Sequence, residues 1–311
     1  MTKKFTQLGY PKYKHKETVS FLVEGKLKIG YVEYIDPYGT FEQDEEPSYD
    51  IYVASENCLY KHFRESKVFP YKTFENFLVN QTNQDAVSLA KTAAENCGTV
   101  VNPLFIHGKT GTGKSHLALA IEYEVRKNPD MKVETLTCEE LLNRITDFMK
   151  HRDGRPYIEF YEEFAKLDLL IIEDVDLMEG KLSTQQLIGH MIRYLCEGRS
   201  KLTQVVLTAS KYKKDAYDLF YYYFLKLNNH AVVKIEEADD ELKRICIQAE
   251  AEYLDITVSE RATAAIIQRM DDIGSIHAVL RDAKAYAAII DKPQDDTMIW
   301  RVVDVRSRVK K

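Results

Sequence analysis

Residues 108–115 read Gly-Lys-Thr-Gly-Thr-Gly-Lys-Ser, a glycine-rich loop ending in a lysine and a hydroxyl. The loop follows an apolar run, Leu104-Phe105-Ile106, and opens a helix-like stretch from His116 to Lys127. Strand, loop and helix in that order suit phosphate chemistry. Glycines leave backbone N–H groups bare to cradle phosphate oxygens at a helix N-terminus, a lysine reaches the β- and γ-phosphates, and a serine hydroxyl holds Mg²⁺. The candidate nucleotide contacts are therefore Gly108, Thr110, Gly111, Thr112, Gly113, Lys114, Ser115 and His116. ATP and Mg²⁺ are the expected cofactors.

A second group of residues could complete that chemistry. Leu169-Leu-Ile-Ile-Glu173-Asp174 is an apolar run ending in two acids, with Asp176 close behind. A strand buried on both faces would present these carboxylates at its C-terminal end, where one orients a Mg²⁺-bound water and the other polarises the attacking water. Glu173 and Ser115 are the candidate metal residues; Asp174, Glu173 and Lys114 are the candidate catalytic residues. A buried strand that merely ends in solvated acids has the same pattern. Val205-Val-Leu-Thr208-Ala-Ser210 also ends in hydroxyls. These could sense a terminal phosphate, Ser210 first and Thr208 second, or cap the next turn.

The elements that must hold these groups can be read along the chain. Residues 1–16 are basic and tyrosine-rich, and 17–66 contain strand-like runs (Phe21-Leu-Val, Leu27 to Ile35, Tyr49 to Val53) separated by a turn at Asp36-Pro-Tyr-Gly. Residues 1–70 are expected to form a small β-rich domain, with an SH3-like barrel as the specific guess. From Tyr71 to Ile235, helical patterns alternate with apolar strands, which implies an α/β parallel sheet flanked by helices. Residues 236–292 carry helical patterns at 239–253, 259–270 and 275–290, and 293–311 read as a short basic tail.

Composition narrows the classes. Apolar residues make up 45% and charged residues 30% of 311, as in an ordinary soluble globular protein. No apolar run is long enough to span a bilayer and no signal peptide is visible, so no membrane partner is expected. The five cysteines are widely spaced without metal-ligand spacing, and are expected to be reduced thiols in a cytoplasmic protein. With a net charge of −6, nucleic-acid binding needs a local basic patch.

Residues 71–290 resemble the AAA+ ATPase domain of the bacterial replication initiator DnaA and its relatives. The resemblance is carried by Tyr71-Lys-Thr-Phe74-Glu-Asn76-Phe77, Asn83 and Ala86, Asn102-Pro-Leu-Phe-Ile, the glycine loop, Cys138-Glu-Glu-Leu-Leu, Leu169 to Asp174, Gly180-Lys-Leu-Ser-Thr-Gln-Gln, and Leu254-Asp-Ile-Thr-Val to Ala287. It implies an AAA+ P-loop NTPase fold with a helical lid, Phe77 within an adenine-lining segment Phe74–Asn83, and ATP between base and lid. It also implies Ser210 at the position that senses the γ-phosphate, assembly with other copies into a spiral or ring, and single-stranded DNA contact through Lys181. Lys150, Arg152 and Arg155 form a second basic loop.

The departures from that family shape the expectation. Only about twenty residues follow the lid, too few for the C-terminal helix-turn-helix domain of DnaA. The arginine offered to a neighbour's γ-phosphate falls on Lys226, and the lid arginine falls on Gly274; Arg281 lies about 10 Å further along the helix. Slow ATP hydrolysis is therefore expected, used as an assembly switch in a DNA-replication factor of initiator or helicase-loader type, with the replicative helicase or an initiator as partner. A transposition-type ATPase on duplex DNA and a non-hydrolysing module docking on a host initiator remain alternatives. The aromatic run Tyr217 to Phe224 could stack bases, pack a neighbouring subunit or fill the core.

Overall fold

A computed structural model of the chain describes residues 11–15, 17–24, 26–39, 46–210, 226–254, 256–289 and 296–309. The aromatic run at 217–224 lies outside the described residues.

The N-terminal part is an antiparallel sheet: β1 (Thr18–Val23), β2 (Lys26–Asp36), β3 (Ser48–Val53), β4 (Cys58–Arg64) and β5 (Val68–Pro70), in the order β4-β3-β2-β1-β5. Val19, Phe21, Val32, Tyr49, Ile51 and Val53 alternate inward into one small core, the period-2 pattern of a sheet with one buried face. A 3-10 turn (Glu65–Lys67) joins β4 to β5. The sequence pattern locates β1 to β3 but not β4 and β5, because Cys58-Leu-Tyr-Lys-His-Phe-Arg has little alternation and β5 is three residues long.

The sheet then hands over to an α/β base. Arg126 lies over the Phe69 ring at 4.1 Å, and Tyr71 meets Tyr123 edge-on at 5.9 Å. Both base residues sit in the C-terminal half of α2 (Lys114–Arg126), the helix that begins at the glycine loop.

The base is a five-stranded parallel sheet of order β10-β6-β9-β8-β7, built from β6 (Leu104–His107), β7 (Val133–Thr137), β8 (Leu169–Glu173), β9 (Gln204–Ala209) and β10 (Ala231–Lys234). α1 (Gln84–Glu95) and α2 pack on one face with Leu104, Ile106, Ile171 and Val206; α3 (Cys138–Lys150), α4 (Tyr157–Phe164) and α5 (Leu182–Cys196) cover the other with Phe105, Leu170, Ile172 and Leu207. Burial on both faces explains why these strands read as continuous apolar runs. α3 starts with a capping box in which the Thr137 side chain accepts from Glu140 N and the Glu140 side chain reaches back to Thr137 N. The sequence pattern does not mark α4. Its eight residues are too few for a clear helical period, and Phe160 and Phe164 are held by tertiary packing.

The lid comprises α6 (Asp240–Leu254), α7 (Glu260–Arg269), α8 (Ile273–Ile289) and α9 (Asp296–Val309). The segment that reads in sequence as a short tail is thus a helix, and Ile299 and Val303 complete the lid core with Ile247, Ile266, Ile276 and Leu280. Arginines interleave its apolar positions and obscure that face. Buried Glu250 joins α6 to α8, lying 2.6 Å from His277 Nδ1 and 2.7 Å from Arg281 Nε. Burial pushes the Glu250 carboxyl up, but His277 and Arg281 outweigh it and leave the group below its ordinary range.

Ile171 is fully buried between β8 and the α1–α2 layer. Ile171→Ala is expected to cost about 2–5 kcal/mol, and Thr137→Ala, which removes the cap of α3, about 1 kcal/mol, as measured by urea unfolding. Equal losses for the two would contradict this view of where stability resides.

Candidate nucleotide site

β6 lies between β10 and β9 in the parallel sheet, and the loop after it emerges at the C-terminal edge, where open α/β sheets bind ligands. Gly111 and Gly113 take positive φ, +82° and +101°, a region that only glycine enters without strain. Space is equally restrictive. A Cβ on Gly113 would fall 2.8 Å from the Phe77 ring, and one on Gly108 would fall 2.4 Å from the Ile235 carbonyl oxygen.

Lys114 is buried, and its ammonium donates to the Lys109 carbonyl oxygen at 2.9 Å across the loop. Burial pulls its pKa below the ordinary lysine value, opposed by the attraction of Asp174, Asp176 and Glu173. A lysine held in this way gains from an arriving phosphate, whose charge offsets the desolvation.

The acids come from β8, two strands away in the sheet, with β9 between. Burial raises the Glu173 carboxyl above its ordinary value, and a hydrogen bond from the Ser115 hydroxyl opposes that shift. Glu173 Oε1 is buried with no hydrogen-bond partner. An unpartnered buried carboxylate oxygen beside the loop serine suits a hard divalent cation, which binds oxygen donors. Ser115 and Glu173 therefore fit the Mg²⁺ that a phosphate loop implies.

Asp174 stands exposed in a left-handed turn (φ 56°), and its backbone N–H donates to Thr208 Oγ1 at 3.2 Å. The two neighbouring acids thus face different surroundings. Thr208 is fully buried and holds Asp174 in place. Ser210 instead lines a cavity of about 490 Å³ with the loop, and its N–H donates to Asp176 Oδ1 at 3.2 Å. Of the two residues, Ser210 lines that cavity and Thr208 does not.

Phe77 is buried against the loop and meets His116 edge-on at 5.1 Å. His116 Nε2 lies 3.1 Å from the Thr73 carbonyl oxygen and 2.7 Å from Asn76 Oδ1, two acceptors, so the ring donates from Nε2. Burial pushes its pKa down to about 4. His116 therefore fastens the Thr73–Phe77 segment to the start of α2. The cavity also has walls that sequence reasoning misses: Glu237, between β10 and α6, and Asp271 and Asp272 in the lid. No local pattern marks them, because the fold brings them to the loop from more than 120 residues away.

The other candidates lie elsewhere. Lys181 is exposed at the start of α5, beside the exposed side chains of Leu177 and Leu182. Lys226 is exposed ahead of β10. In the basic loop, Arg152 stacks on Tyr157 at 4.0 Å and Arg155 reaches the Phe148 ring at 5.4 Å, so both guanidiniums serve the loop's own structure. Arg281 is committed to Glu250, and Gly274 in the first turn of α8 offers no side chain. Among the described residues no cluster of His, Cys, Asp and Glu forms a metal site, and no helix is long and apolar enough to cross a membrane.

Gly113→Ala is expected to lower stability by more than about 1 kcal/mol, from backbone strain plus collision with Phe77. Gly180→Ala, also at positive φ but facing open space, is expected to cost less. Chemical denaturation of both variants checks the order, and the reverse order would contradict the packing described.

Residues 69–220 match the family model of the bacterial DnaA ATPase domain. The chromosomal replication initiator protein DnaA of Nautilia profundicola is 30% identical over 226 residues, covering 72% of this chain and 50% of that protein. The chain spans about half the length of the curated relatives it matches. Domain III of DnaA from Thermotoga maritima superposes with a TM-score of 0.66 at 26% identity, covering 76% of this chain and 96% of that one. A structure of the replication initiator DnaA bound to AMPPCP and single-stranded DNA gives a TM-score of 0.59 at 25% identity, over 69% of this chain and 65% of the other. The match of residues 69–220 to that family model, with 30% identity to a DnaA over 72% of the chain, places the chain in the DnaA-like family of AAA+ ATPases.

Proposed function

We propose that this chain is an ATP-binding DNA-replication factor that assembles with its own copies on single-stranded DNA when ATP occupies the glycine loop. The observation that carries the nucleotide reading is the unpartnered, buried Oε1 of Glu173 beside Ser115, at the foot of a loop whose lysine is also buried. Lys114 draws in the β- and γ-phosphates, the loop amides hold them, and Ser115 and Glu173 hold the Mg²⁺ that shields them. Asp174, exposed and oriented by Thr208, is the group available to polarise a water; Ser210 meets the terminal phosphate.

Hydrolysis is slow on this reading. Gly274 supplies no lid arginine, Arg281 is held by Glu250, and a neighbour would offer Lys226 rather than a planar guanidinium. In other systems an arginine finger is worth about 10³- to 10⁵-fold in turnover. The ATP state then lasts long enough to act as a switch for assembly.

The DNA reading rests on exposed Lys181 at the start of α5, with Leu182 after it and Leu177 in the preceding 3-10 turn also exposed, and on the single-stranded DNA bound by the DnaA structure that the chain resembles. The N-terminal sheet, of order β4-β3-β2-β1-β5 with a 3-10 turn before β5, supports reading residues 1–70 as a small SH3-type domain. Seated on α2, it is suited to recruit a protein such as a replicative helicase.

In anisotropy titrations of labelled oligo-dT, ATP is expected to strengthen binding, and Lys114→Ala to abolish that gain. Lys181→Ala is expected to weaken binding and to lower the salt slope by about 0.7, the share of a single phosphate neutralised on single-stranded DNA. Binding indifferent to ATP and to Lys181 would contradict the proposal. In a parallel turnover assay, slow ATP hydrolysis is expected to fall further in Asp174→Asn. Brisk hydrolysis by the protein alone would contradict the switch.

A further inference from the structure

The lid meets the phosphate loop through a carboxylate. Gly111 lies so close to Asp272 that a Cβ in place of its hydrogen would fall 2.6 Å from both Cβ and Oδ1 of that side chain. Asp272 immediately precedes α8 and caps it. Ser275 donates to Oδ1 from its backbone N–H at 2.8 Å, and to Oδ2 from its hydroxyl at 2.7 Å. The cap fixes where the negative charge stands. The same cavity holds Ser210, Glu237 and Asp271. Lys109, on the loop side, is already matched by Glu237 at 2.5 Å. The lid thus turns carboxylates toward the glycine loop, while its arginine at 281 is tied to Glu250.

We propose that Asp272 is a specificity-determining residue of the nucleotide site: a lid carboxylate seated on the phosphate loop that disfavours each added phosphate charge, and so sets the balance between nucleoside triphosphate and diphosphate. This rests on the nucleotide reading above and goes one step beyond it. A charge fixed against the loop apex repels a ligand in proportion to the ligand's own charge. Helix capping alone does not require that charge, because asparagine and serine cap as well as aspartate does. The two roles of Asp272 can therefore be separated by substitution.

The test is calorimetric binding of ADP and of a non-hydrolysable ATP analogue to the full chain at saturating Mg²⁺. Wild type is compared with Asp272→Asn, Asp272→Ser and Ser275→Ala. Asp272→Asn is expected to shift the ratio of affinities toward the triphosphate by roughly five-fold at low salt, less at high salt, with an unchanged melting temperature in the absence of nucleotide. Asp272→Ser must reproduce that ratio. Ser275→Ala loosens the cap but keeps the charge, so it must leave the ratio at the wild-type value. An unchanged ratio in Asp272→Asn, with both nucleotides still bound, would overturn this proposal alone, as would a shift of equal size in Ser275→Ala. A wild-type chain that binds neither nucleotide would overturn the nucleotide reading and this proposal with it.

Discussion

Lys114 and Glu173 sit below the surface at the same edge of one sheet, each in surroundings that disfavour its charge. Neither could persist there without a fold that forces it into place. β6 delivers the lysine by running straight into a loop of glycines. β8 delivers the glutamate at the end of five residues whose first four are fully buried. The sheet is rigid because both of its faces are covered by packed helices, so the two charged groups cannot separate to find water. The resulting site is electrostatically incomplete: a buried lysine, and a carboxylate oxygen without a partner. A phosphate and a divalent cation would complete both at once.

The same logic extends outward. α2 begins at Lys114 and ends against the N-terminal sheet through Tyr123 and Arg126, so one helix of 13 residues, roughly 20 Å long, touches the phosphate loop at one end and the β-rich domain at the other. Near its start, His116 binds the segment that carries Phe77, and Phe77 closes over Gly113. On the far side, Asp272 closes over Gly111. Two of the loop glycines are therefore required twice, once for backbone conformation and once because a neighbour occupies the space of a Cβ.

What can be read from sequence follows from how local each signal is. The glycine loop, the acids after β8 and the strands of the base are legible, because eight consecutive residues or one apolar run suffices to mark each. The ranking of Ser210 over Thr208 comes from the resemblance rather than from a local pattern, since both stand at the end of the same strand; the fold adds that Thr208 accepts from the Asp174 N–H. α9 escapes notice because its apolar residues are interleaved with arginines and matter only against the other lid helices. Asp271, Asp272 and Glu237 belong to the site solely through tertiary proximity. Arg281, which helix spacing alone puts out of reach of the phosphates, has a structural partner in Glu250.

The central claim is that Glu173 and Ser115 together hold a divalent cation against a nucleotide on the loop. The most direct measurement is a crystal structure with Mg²⁺ and a non-hydrolysable ATP analogue. The account predicts one metal ion touching the Ser115 hydroxyl, with Glu173 Oε1 bound to it directly or through water, and the Lys114 ammonium moved from the Lys109 carbonyl onto a phosphate oxygen. Nucleotide bound elsewhere, or bound on the loop with Glu173 turned away from the metal, would contradict it.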